Sequence, residues 1–369
     1  MKILFISHSY PPTLGGVESQ NFDLSKSLSD IADVKIIANK KGKVFLPLFV
    51  VLATIQSLLN AKKYDVCLLG SGVLAPVGAF LKIFFPKKRF FCVVHGLDVT
   101  YANRTGFLPT IYRLININAL KRLNQLFMVG NATIKEAVKV GVDHSLCTFI
   151  PNGVFKEKLI CERTRKDLEK LLERDLSNKR VVLRLGRFVP HKGTSWFLNN
   201  IVSKLPSDCI FVAAGSRVNK RTAGDKDDFR TCEEIIVEQK LEDRAILLPS
   251  LPWEDVKTLL STVDLVVSPN IKVPGTMEGF GINVIEAAIC QRVVIASNLE
   301  GLADAVSDGK SGFLVEPENV KAWEEKVFEI LEKEPSFFKN FGKQASDHIK
   351  EHNTWGKIAK QYLAEMKKY

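Results

Sequence analysis

Residues 265–298 read LVVSPNIKVPGTMEGFGINVIEAAICQRVVIASN, and the fold class can be predicted from this segment. The runs LVVSPN and VVIASN at its two ends are almost wholly apolar, which predicts strands buried on both faces of a parallel sheet. Between them, residues 282–289 are predicted to form a helix that begins directly after the glycines. A strand, a helix and a second strand in this order indicate one step of a doubly wound α/β fold.

Short apolar runs of the same kind recur along the whole chain. Most of them end in Gly, Asn, Ser or Pro, at the point where parallel sheets place their functional loops. Six lie in the first half of the chain and six in the second, which predicts two sheets. The runs are KILFISH (2–8), VKIIAN (34–39), VCLLG (66–70), RFFCVVHG (89–96), QLFMVG (125–130), CTFIPNG (147–153), RVVLRLGRF (180–188), CIFVAAG (209–215), RAILLPS (244–250), LVVSPN (265–270), VVIASN (293–298) and GFLVEP (312–317).

The sequence thus predicts an α/β protein with two Rossmann-like, doubly wound domains that face each other across a cleft. The first domain is expected over residues 1–160 and the second over 175–350, joined near 155–178 by a polar stretch without a strand pattern. Residues 353–369 carry one apolar stripe at helical spacing, so this helix can pack back onto the first domain. A cleft lined by strand ends is the expected ligand site.

The composition agrees with two globular domains in a reducing compartment. Hydrophobic residues make up 46% and charged residues 25% of the 369 residues, which is ordinary for proteins with real cores. The seven cysteines form no C-x-x-C pair, as expected for reduced thiols in a cytoplasmic protein. The N-terminus has no pattern of an export signal. The apolar run at 44–59 is shorter than the ~20 residues that span a bilayer, so we expect no transmembrane helix.

The positive charge is confined to the first half of the chain. Residues 1–160 hold 20 Lys and Arg against 9 Asp and Glu, which accounts for the whole net charge of +11. Such asymmetry favours an anionic partner for this half, although a generally basic domain is the alternative. The segments 44–59, 79–91 and 108–123 combine large apolar residues with nearby cations, which favours an anionic membrane surface. No nucleic-acid-binding motif accompanies the charge, so nucleic acid is not expected.

The segment EGFGINVIE (278–286) offers a helix N-terminus and two carboxylates. Unpaired N–H groups and the helix dipole attract anions and sugar hydroxyls there. We expect Glu278, in the loop, to accept hydrogen bonds from sugar hydroxyls, and Glu286, inside the helix, to accept from a vicinal diol such as a ribose. A structural helix start with a nearby acid is the competing interpretation. Gly279 and Gly281 are expected to let a ligand approach the backbone closely, and the first free amides are expected from Phe280, Gly281 and Ile282, which together with the two carboxylates would suit a nucleotide sugar.

Three further groups follow predicted strands. Arg187 and Lys192 in GRFVPHKG (186–193) place two cations where they can neutralise a diphosphate, unless they are merely solvated. Gly15 and Gly16 are expected to turn the backbone towards a phosphate or sugar. The last group, in HGLDVT (95–100), is His95 with Asp98.

The histidine of HGLDVT could hydrogen-bond a bound sugar, although a structural histidine is the more ordinary interpretation. Asp98 is a candidate for orienting it. The histidines include no metal-binding pair: His348 and His352 have the spacing of one but lie in a charged tail, so no metal is expected.

Five of these segments together are similar to one enzyme family. The chain resembles the retaining GT-B glycosyltransferases of family 4 over nearly its whole length. The order and spacing of all five segments carry the resemblance, since any one alone is unspecific. They are YPPTLGGVE (10–18), HGLDVT (95–100), IPNGV (150–154), GRFVPHKG (186–193) and EGFGINVIEAA (278–288).

The resemblance implies a role for each candidate residue. It implies that Glu278 lies near the transferred sugar and Glu286 on the ribose, in the Glu-x7-Glu motif. It implies Arg187 and Lys192 on the diphosphate. The backbone of Gly16 would close over the donor.

The same resemblance implies that His95 lies near the sugar 6-position and that the first domain receives the acceptor. The implied catalytic set is His95, Glu278, Arg187 and Lys192. The reaction would be independent of metal and of any other cofactor, and it would retain the anomeric configuration by front-face attack without a covalent intermediate.

We therefore predict a glycosyltransferase that moves a hexosyl or N-acetylhexosaminyl group from a nucleotide sugar to a saccharide or lipid-linked saccharide. Cell-surface polysaccharide or glycolipid synthesis is the expected setting, with the enzyme peripheral at the cytoplasmic face of the membrane. Two alternatives stay open. A sugar-nucleotide 2-epimerase shares the two-domain build, and a non-catalytic nucleotide-sugar-binding protein would keep the donor pocket without turnover.

Overall fold

Two units, each built around its own sheet, make up the chain in the computed structural model. The structure describes residues 1–13, 15–217 and 227–369. The first unit comprises Met1–Gly153, Gly275–Phe280 and Asn353–Tyr369, and the second comprises Val154–Pro274 and Gly281–His352.

Each of the twelve predicted apolar runs overlaps a strand, so all twelve predicted strands are confirmed. Their bounds are β1 Lys2–Ser7, β2 Asp33–Ala38, β3 Val66–Leu69, β4 Arg89–Val94, β5 Gln125–Met128, β6 Cys147–Phe149, β7 Arg180–Leu185, β8 Cys209–Gly215, β9 Ala245–Pro249, β10 Leu265–Ser268, β11 Val293–Ser297 and β12 Phe313–Val315. The eight inner strands are buried almost throughout, because a parallel sheet covered on both faces leaves little room for polar side chains, whereas the edge strands β2, β6, β9 and β12 are only partly buried.

Helices connect the strands within the described part of the chain. The helix predicted over 282–289 is confirmed. The α-helices are α1 Gly16–Ser29, α2 Leu46–Asn60, α3 Ala75–Phe84, α4 Gly96–Thr100, α5 Phe107–Tyr112, α6 Asn118–Leu120, α7 Asn131–Lys139, α8 Lys156–Leu159, α9 Arg165–Leu172, α10 Thr194–Asn200, α11 Asp228–Glu238, α12 Trp253–Thr262, α13 Ile282–Ile289, α14 Leu302–Ala305, α15 Val320–Leu331, α16 Pro335–His352 and α17 Trp355–Lys367.

The sheet of the first unit has the order β2-β1-β3-β4-β5-β6, and all of its strand pairs are parallel. Ile3 of β1 pairs with Val34 of β2 on one side and with Val66 of β3 on the other. The connections run in opposite directions from β1, so the strand order reverses between β1 and β3. Open α/β sheets bind ligands at the carboxyl ends of the strands on either side of such a switch point.

The sheet of the second unit has the order β12-β11-β10-β7-β8-β9 and is also parallel. Counted from β7, this is the 3-2-1-4-5-6 order of the Rossmann fold in reverse listing. Leu265 of β10 pairs with Val293 of β11 and with Val182 of β7. The switch point therefore lies between β7 and β10. Two doubly wound Rossmann-like units confirm the predicted fold class.

The last helix packs on the first unit. Its stripe of Trp355, Ile358, Tyr362 and Met366 is buried, and α17 contacts α1. The ring of Tyr362 meets Phe127 of β5 edge to face, with 5.1 Å between centroids. A continuous apolar stripe needs a partner surface, and the outer face of the first sheet supplies it.

The unit boundaries differ from the sequence analysis at two places. The first unit ends at Gly153 rather than near residue 160, and the polar stretch that follows is counted with the second unit and contains α8 and α9. The segment Gly275–Phe280 belongs to the first unit, whereas we expected it in the domain over 175–350. Its contacts with α4, described below, are the physical reason, and no local pattern in the segment indicates them.

Among the residues that the structure describes, no helix combines the length and the apolar character that crossing a membrane requires.

Candidate active site

Two loops meet at the switch point of the second unit, one after β7 and one after β10. Asn283, in the first turn of α13, donates from Nδ2 to the carbonyl of Leu185 at 3.2 Å and to the hydroxyl of Ser268 at 3.0 Å. Leu185 ends β7, and Ser268 ends β10. This amide therefore ties the start of α13 to both strands of the switch point.

The loop 186–193 is held against the β10 loop by a glycine. Gly193 has φ +68°, and a Cβ at this position would lie 1.8 Å from the carbonyl oxygen of Pro269. Any other residue would have to move backbone, so the sequence needs glycine here on both conformational and steric grounds. The 3-10 turn Pro190–Lys192 precedes it and places Lys192 at the end of the loop.

A buried arginine of β7 holds both ends of the loop 186–193 by hydrogen bonds. Arg184 of β7 is only 1% exposed. Its guanidinium donates from Nη1 to the carbonyl of Gly186 at 2.5 Å and from Nη2 to the carbonyl of Lys192 at 3.4 Å. Arg184 thus joins both ends of the loop that carries the two predicted diphosphate cations. Of those cations, Arg187 is exposed and Lys192 is half-buried.

Sequence reasoning missed Arg184 because it lies inside an apolar strand pattern. The available signal was the arginine in the middle of the apolar strand pattern of RVVLRLGRF (180–188), because a cation in a strand buried on both faces must find hydrogen-bond acceptors there. A neighbouring buried carboxylate was also missed. Asp228 accepts from the hydroxyl of Ser195 at 2.7 Å and from the Ser195 amide at 3.2 Å, and so holds the first turn of α10.

The N-terminus of α13 begins at a glycine in the left-handed region. Gly281 has φ +90°, and a Cβ there would come within 2.5 Å of Leu302 Cδ2. Ile282 and Phe280 flank it, the latter only 2% exposed. The helix has eight residues, so its dipole and first amides form a real N-terminus that favours anions.

Glu286 lies in the second turn of α13 and is half-buried. Burial and then the negative charge of Glu286 raise the pKa of the Cys290 thiol, one turn later, to about 12. Cys290 is therefore a neutral thiol at physiological pH, and Glu286 is the polar group that this part of the helix presents.

The loop that carries Glu278 packs against the start of α4 in the first unit. A Cβ on Gly96 would lie 2.8 Å from Met277 Cγ and 3.4 Å from the Cα of Gly279. Arg104 holds the other end of the segment by donating from Nε to the carbonyl of Gly275 at 2.9 Å. Glu278, half-buried, lies between these contacts.

His95 is fixed directly before α4 by its backbone and its ring. Asp98 Oδ2 accepts from the amide of His95 at 2.9 Å and from the amide of Gly72 at 2.8 Å. His95 Nε2 lies 3.0 Å from the carbonyl oxygen of Gly70. A carbonyl only accepts, so Nε2 carries the proton in this contact.

A second histidine occupies the switch point of the first unit. His8 follows β1, and Ser71 lies just beyond β3. His8 Nδ1 lies 2.9 Å from the Ser71 hydroxyl, and His8 Nε2 lies 3.1 Å from that of Ser9. The sequence analysis did not select His8, although a histidine directly after the first strand was a usable signal.

Gly15 is the N-cap residue of α1, and Gly16 is the first residue of this helix. Gly15 has φ 163°, which is an extended conformation. A Cβ on Gly15 would lie 2.2 Å from Glu18 Oε2, the end of a flexible side chain. Gly16 is exposed, and nothing lies within 4 Å of its Cβ position.

The predicted site residues divide between the two units. Three of those in the first unit, His95, Asp98 and Glu278, lie on α4 or on the loop that packs against it. The first unit contains Gly15, Gly16, His95, Asp98, Glu278, Gly279 and Phe280, and the second contains Arg187, Lys192, Gly281, Ile282 and Glu286. Within the described ranges, no group of three or more His, Cys, Asp or Glu side chains is arranged to hold a metal ion.

Comparison with known proteins defines the class of this protein. Residues 168–348, most of the second unit, match the family model described as "Glycosyl transferases group 1". The chain is a glycosyltransferase with the GT-B fold of two Rossmann-like units, and its second unit is similar to the group 1 glycosyltransferases.

Two curated relatives match most of the chain. The chain is 25% identical over 281 residues, 74% of its length and 69% of the relative's, to the N,N'-diacetylbacillosaminyl-diphospho-undecaprenol alpha-1,3-N-acetylgalactosaminyltransferase of Campylobacter jejuni. It is 24% identical over 296 residues, 76% and 72% of the two lengths, to the UDP-Gal:alpha-D-GlcNAc-diphosphoundecaprenol alpha-1,3-galactosyltransferase of Escherichia coli.

Among solved structures, the chain is similar to Alr3699/HepE of Anabaena in complex with UDP. The TM-score is 0.78 at 19% sequence identity, with 100% of both chains covered. At this identity the likeness establishes the fold.

Proposed function

We propose that this glycosyltransferase moves a hexosyl or N-acetylhexosaminyl group from a nucleotide sugar to a saccharide carried on a lipid diphosphate. One observation carries the donor half of the proposal. At the switch point of the second unit, Asn283 ties the N-terminus of α13 to the ends of β7 and β10, and Arg184 braces the adjoining loop that bears Arg187 and Lys192. Helix amides and two cations at one sheet edge are suited to a diphosphate.

In this proposal Arg187 and Lys192 bind the diphosphate, and the helix start from Gly279 to Ile282 adds backbone donors. Glu286 accepts from the ribose hydroxyls. Glu278 accepts from hydroxyls of the transferred sugar, and Gly16 leaves the backbone at the start of α1 open to the donor.

The proposed reaction retains the anomeric configuration. The acceptor hydroxyl attacks the anomeric carbon from the face that the diphosphate leaves, and its proton passes to the departing phosphate oxygen. Arg187 and Lys192 stabilise the negative charge that develops on the leaving group, a role that a metal ion has in other enzymes. We therefore propose a metal-independent reaction without another cofactor. His95, held by Asp98, lies between the donor and the acceptor in this proposal and hydrogen-bonds the donor sugar.

The acceptor half of the proposal rests on chemistry and on relatives. The named relatives from Campylobacter jejuni and Escherichia coli act on saccharides linked to undecaprenyl diphosphate. The excess positive charge of this chain lies in residues 1–160, as a diphosphate carrier in an anionic membrane would favour. We place the enzyme at the cytoplasmic face of the membrane as a peripheral protein, in cell-surface polysaccharide or glycolipid synthesis.

The test of the proposal has two stages. Thermal unfolding with UDP, GDP and ADP sugars should select one nucleotide, since a ligand at 100 times its Kd stabilises by about 2.7 kcal/mol. The selected donor is then incubated with a synthetic polyprenyl diphosphate saccharide, with and without EDTA. An elongated lipid with the donor's anomeric configuration, formed equally in EDTA, is the expected product.

Other products would support other functions. Conversion of the donor to its 2-epimer without an acceptor would indicate the epimerase. Donor binding with neither transfer nor slow hydrolysis, for every acceptor tried, would indicate a non-catalytic binding protein. An inverted product would contradict retention alone, and loss of activity in EDTA would contradict metal independence alone.

A further inference from the structure

Helix α2, Leu46–Asn60, exposes large apolar side chains on the face that points away from the protein core. Its sequence LPLFVVLATIQSLLN contains no charged residue. Only Phe49, Ala53 and Ser57 are buried. The outer stripe is large and aliphatic, although a surface helix usually turns polar side chains outward. Its exposed fractions are Leu48 51%, Val51 55%, Leu52 42%, Ile55 50% and Leu59 74%.

Neighbouring helices extend this apolar surface. Helix α2 contacts α3, and α3 contacts the π-helical turn Arg113–Ile117 that continues α5. The exposed large apolar residues on these elements are Phe80 43%, Ile83 67%, Phe84 57%, Phe107 79%, Leu108 67%, Ile111 37%, Leu114 59% and Ile115 53%. Isolated exposed apolar residues are normal, whereas many of them on helices that contact each other indicate an interaction site. We call it the outer helical surface, defined by the exposed apolar residues of α2, α3 and 107–115.

The charges around the outer helical surface indicate its partner. Residues 34–135 contain 15 Lys and Arg but only two acidic residues, Asp65 and Asp98. Asp98, a residue of α4, is buried. Exposed cations follow the apolar helices directly, at Lys62 and Lys63 after α2 and at Lys87 after α3. An apolar face with cations at its margin matches an anionic lipid surface, where apolar side chains enter among the headgroups and cations meet phosphates.

We infer that the outer helical surface inserts into an anionic bilayer, with α2 lying in the plane of the interface. This inference rests on the proposed membrane association and goes further by naming the mode of attachment. The outer stripe of α2 itself has no cation, so its contribution is hydrophobic and should persist when salt screens the lysines. A second copy of the chain is a poorer occupant, since pairing this surface with itself would bring two cationic regions together.

The first experiment uses the whole protein and flotation with vesicles of phosphatidylcholine, with and without phosphatidylglycerol, at low and high salt. The test variant is Leu52→Glu with Ile55→Glu, two exposed positions outside the proposed catalytic machinery. Val237→Glu is the matched control, because Val237 is 66% exposed on α11 of the second unit. We expect anionic vesicles to bind wild type and control, with part of the binding kept at high salt. The double variant should bind at least about tenfold more weakly.

A second experiment reports insertion directly. Ile55→Trp should be quenched by lipids with brominated acyl chains, and Val237→Trp should not. Equal flotation of wild type and double variant, complete release by salt, or no quenching at position 55 would overturn the inference. So would a dimer without vesicle binding that the double variant makes monomeric, since the surface would then bind a second copy.

The outcome is separable from that of the proposed function. The double variant should keep nucleotide binding and its rate with a short-chain, water-soluble acceptor. If wild type inserts into vesicles yet transfers sugar to no acceptor, the proposed function fails and the inserted surface stands. If transfer proceeds but nothing inserts, the inference fails alone.

Discussion

The carboxylate of Asp98 accepts a hydrogen bond from the backbone amide of His95, with 2.9 Å between Oδ2 and N. The same oxygen accepts from the amide of Gly72 at 2.8 Å, so one buried side chain joins the ends of β3 and β4. His95 is consequently oriented by a group that has no need to touch the substrate.

Replacing Asp98 should therefore impair catalysis through His95. Asp98→Ala leaves two buried amides without this acceptor, which costs about 1–3 kcal/mol of unfolding free energy. Asp98→Asn keeps one acceptor oxygen and should recover most of the stability. We expect both variants to lower kcat more than they raise KM for the donor. Steady-state kinetics beside thermal unfolding check this, and kinetics that follow stability alone would show a merely structural role.

Replacing each of the two carboxylates of the Glu-x7-Glu pair should affect a different ligand-binding property. Glu286→Ala is expected to weaken the nucleotide sugar and the free nucleoside diphosphate equally, because both contain the ribose. Glu278→Ala should leave nucleoside diphosphate affinity unchanged and reduce turnover. Calorimetric titration of each variant with both ligands measures the difference. Wild-type affinity of Glu286→Ala for the free nucleotide would remove Glu286 from the ribose.

Arg184 offers a test of how the diphosphate loop is positioned. Arg187→Ala or Lys192→Ala should cost about 2–4 kcal/mol of transition-state stabilisation, the scale for one preorganised donor. Arg184→Met removes the donors to the carbonyls of Gly186 and Lys192 while keeping an apolar side chain in β7.

We expect Arg184→Met to lower nucleotide affinity although Arg187 and Lys192 are unchanged. Calorimetry with nucleoside diphosphate and with nucleoside checks this. An Arg184 variant that loses affinity for both ligands equally would point to general unfolding, and one with normal diphosphate affinity would refute the positioning role.

Gly193→Ala should destabilise the second unit and remove donor binding together. Its Cβ would lie 1.8 Å from the carbonyl oxygen of Pro269, in a backbone at φ +68°. Crowding and the left-handed conformation together should cost about 2–5 kcal/mol. Gly356→Ala is the control, because nothing lies within 4 Å of its Cβ position in α17.

The control should gain about 0.5–1 kcal/mol, as alanine usually does over glycine inside a helix. Chemical denaturation of both variants provides the comparison. Equal midpoints would mean that the β10 loop yields easily and that the loops are not held together as tightly as the contact implies.

Local patterns were enough for the architecture. Continuous apolar runs fixed the twelve strands, because a strand covered on both faces must be apolar at nearly every position. The glycines before Ile282 marked the start of α13, since helix starts have a recognisable local chemistry. The candidate residues His95, Glu278, Arg187 and Lys192 could be found from local patterns too, because each lies in the segment that follows a predicted strand.

The contacts between distant segments could not be predicted from local patterns and became known from the folded structure. Nothing near Met277 in the sequence indicates that it packs on Gly96, 181 positions earlier in the numbering, and places Glu278 with the first unit. The support of the diphosphate loop by Arg184 and the pairing of His8 with Ser71 depend likewise on which strands are neighbours. Strand order and packing between distant segments are cooperative properties of the whole chain, so a local pattern can name the reacting groups but not their supports.

The exposed face of α2 is a second feature that depends on packing. The amino-acid sequence is enough to show that 44–59 is apolar and too short to span a bilayer. A buried helix and an interfacial helix have the same composition, however, because burial is decided by what packs on each face. Phe49, Ala53 and Ser57 face the sheet while Leu52, Ile55 and Leu59 face outward, and that choice exists only once α3 and the strands are in place.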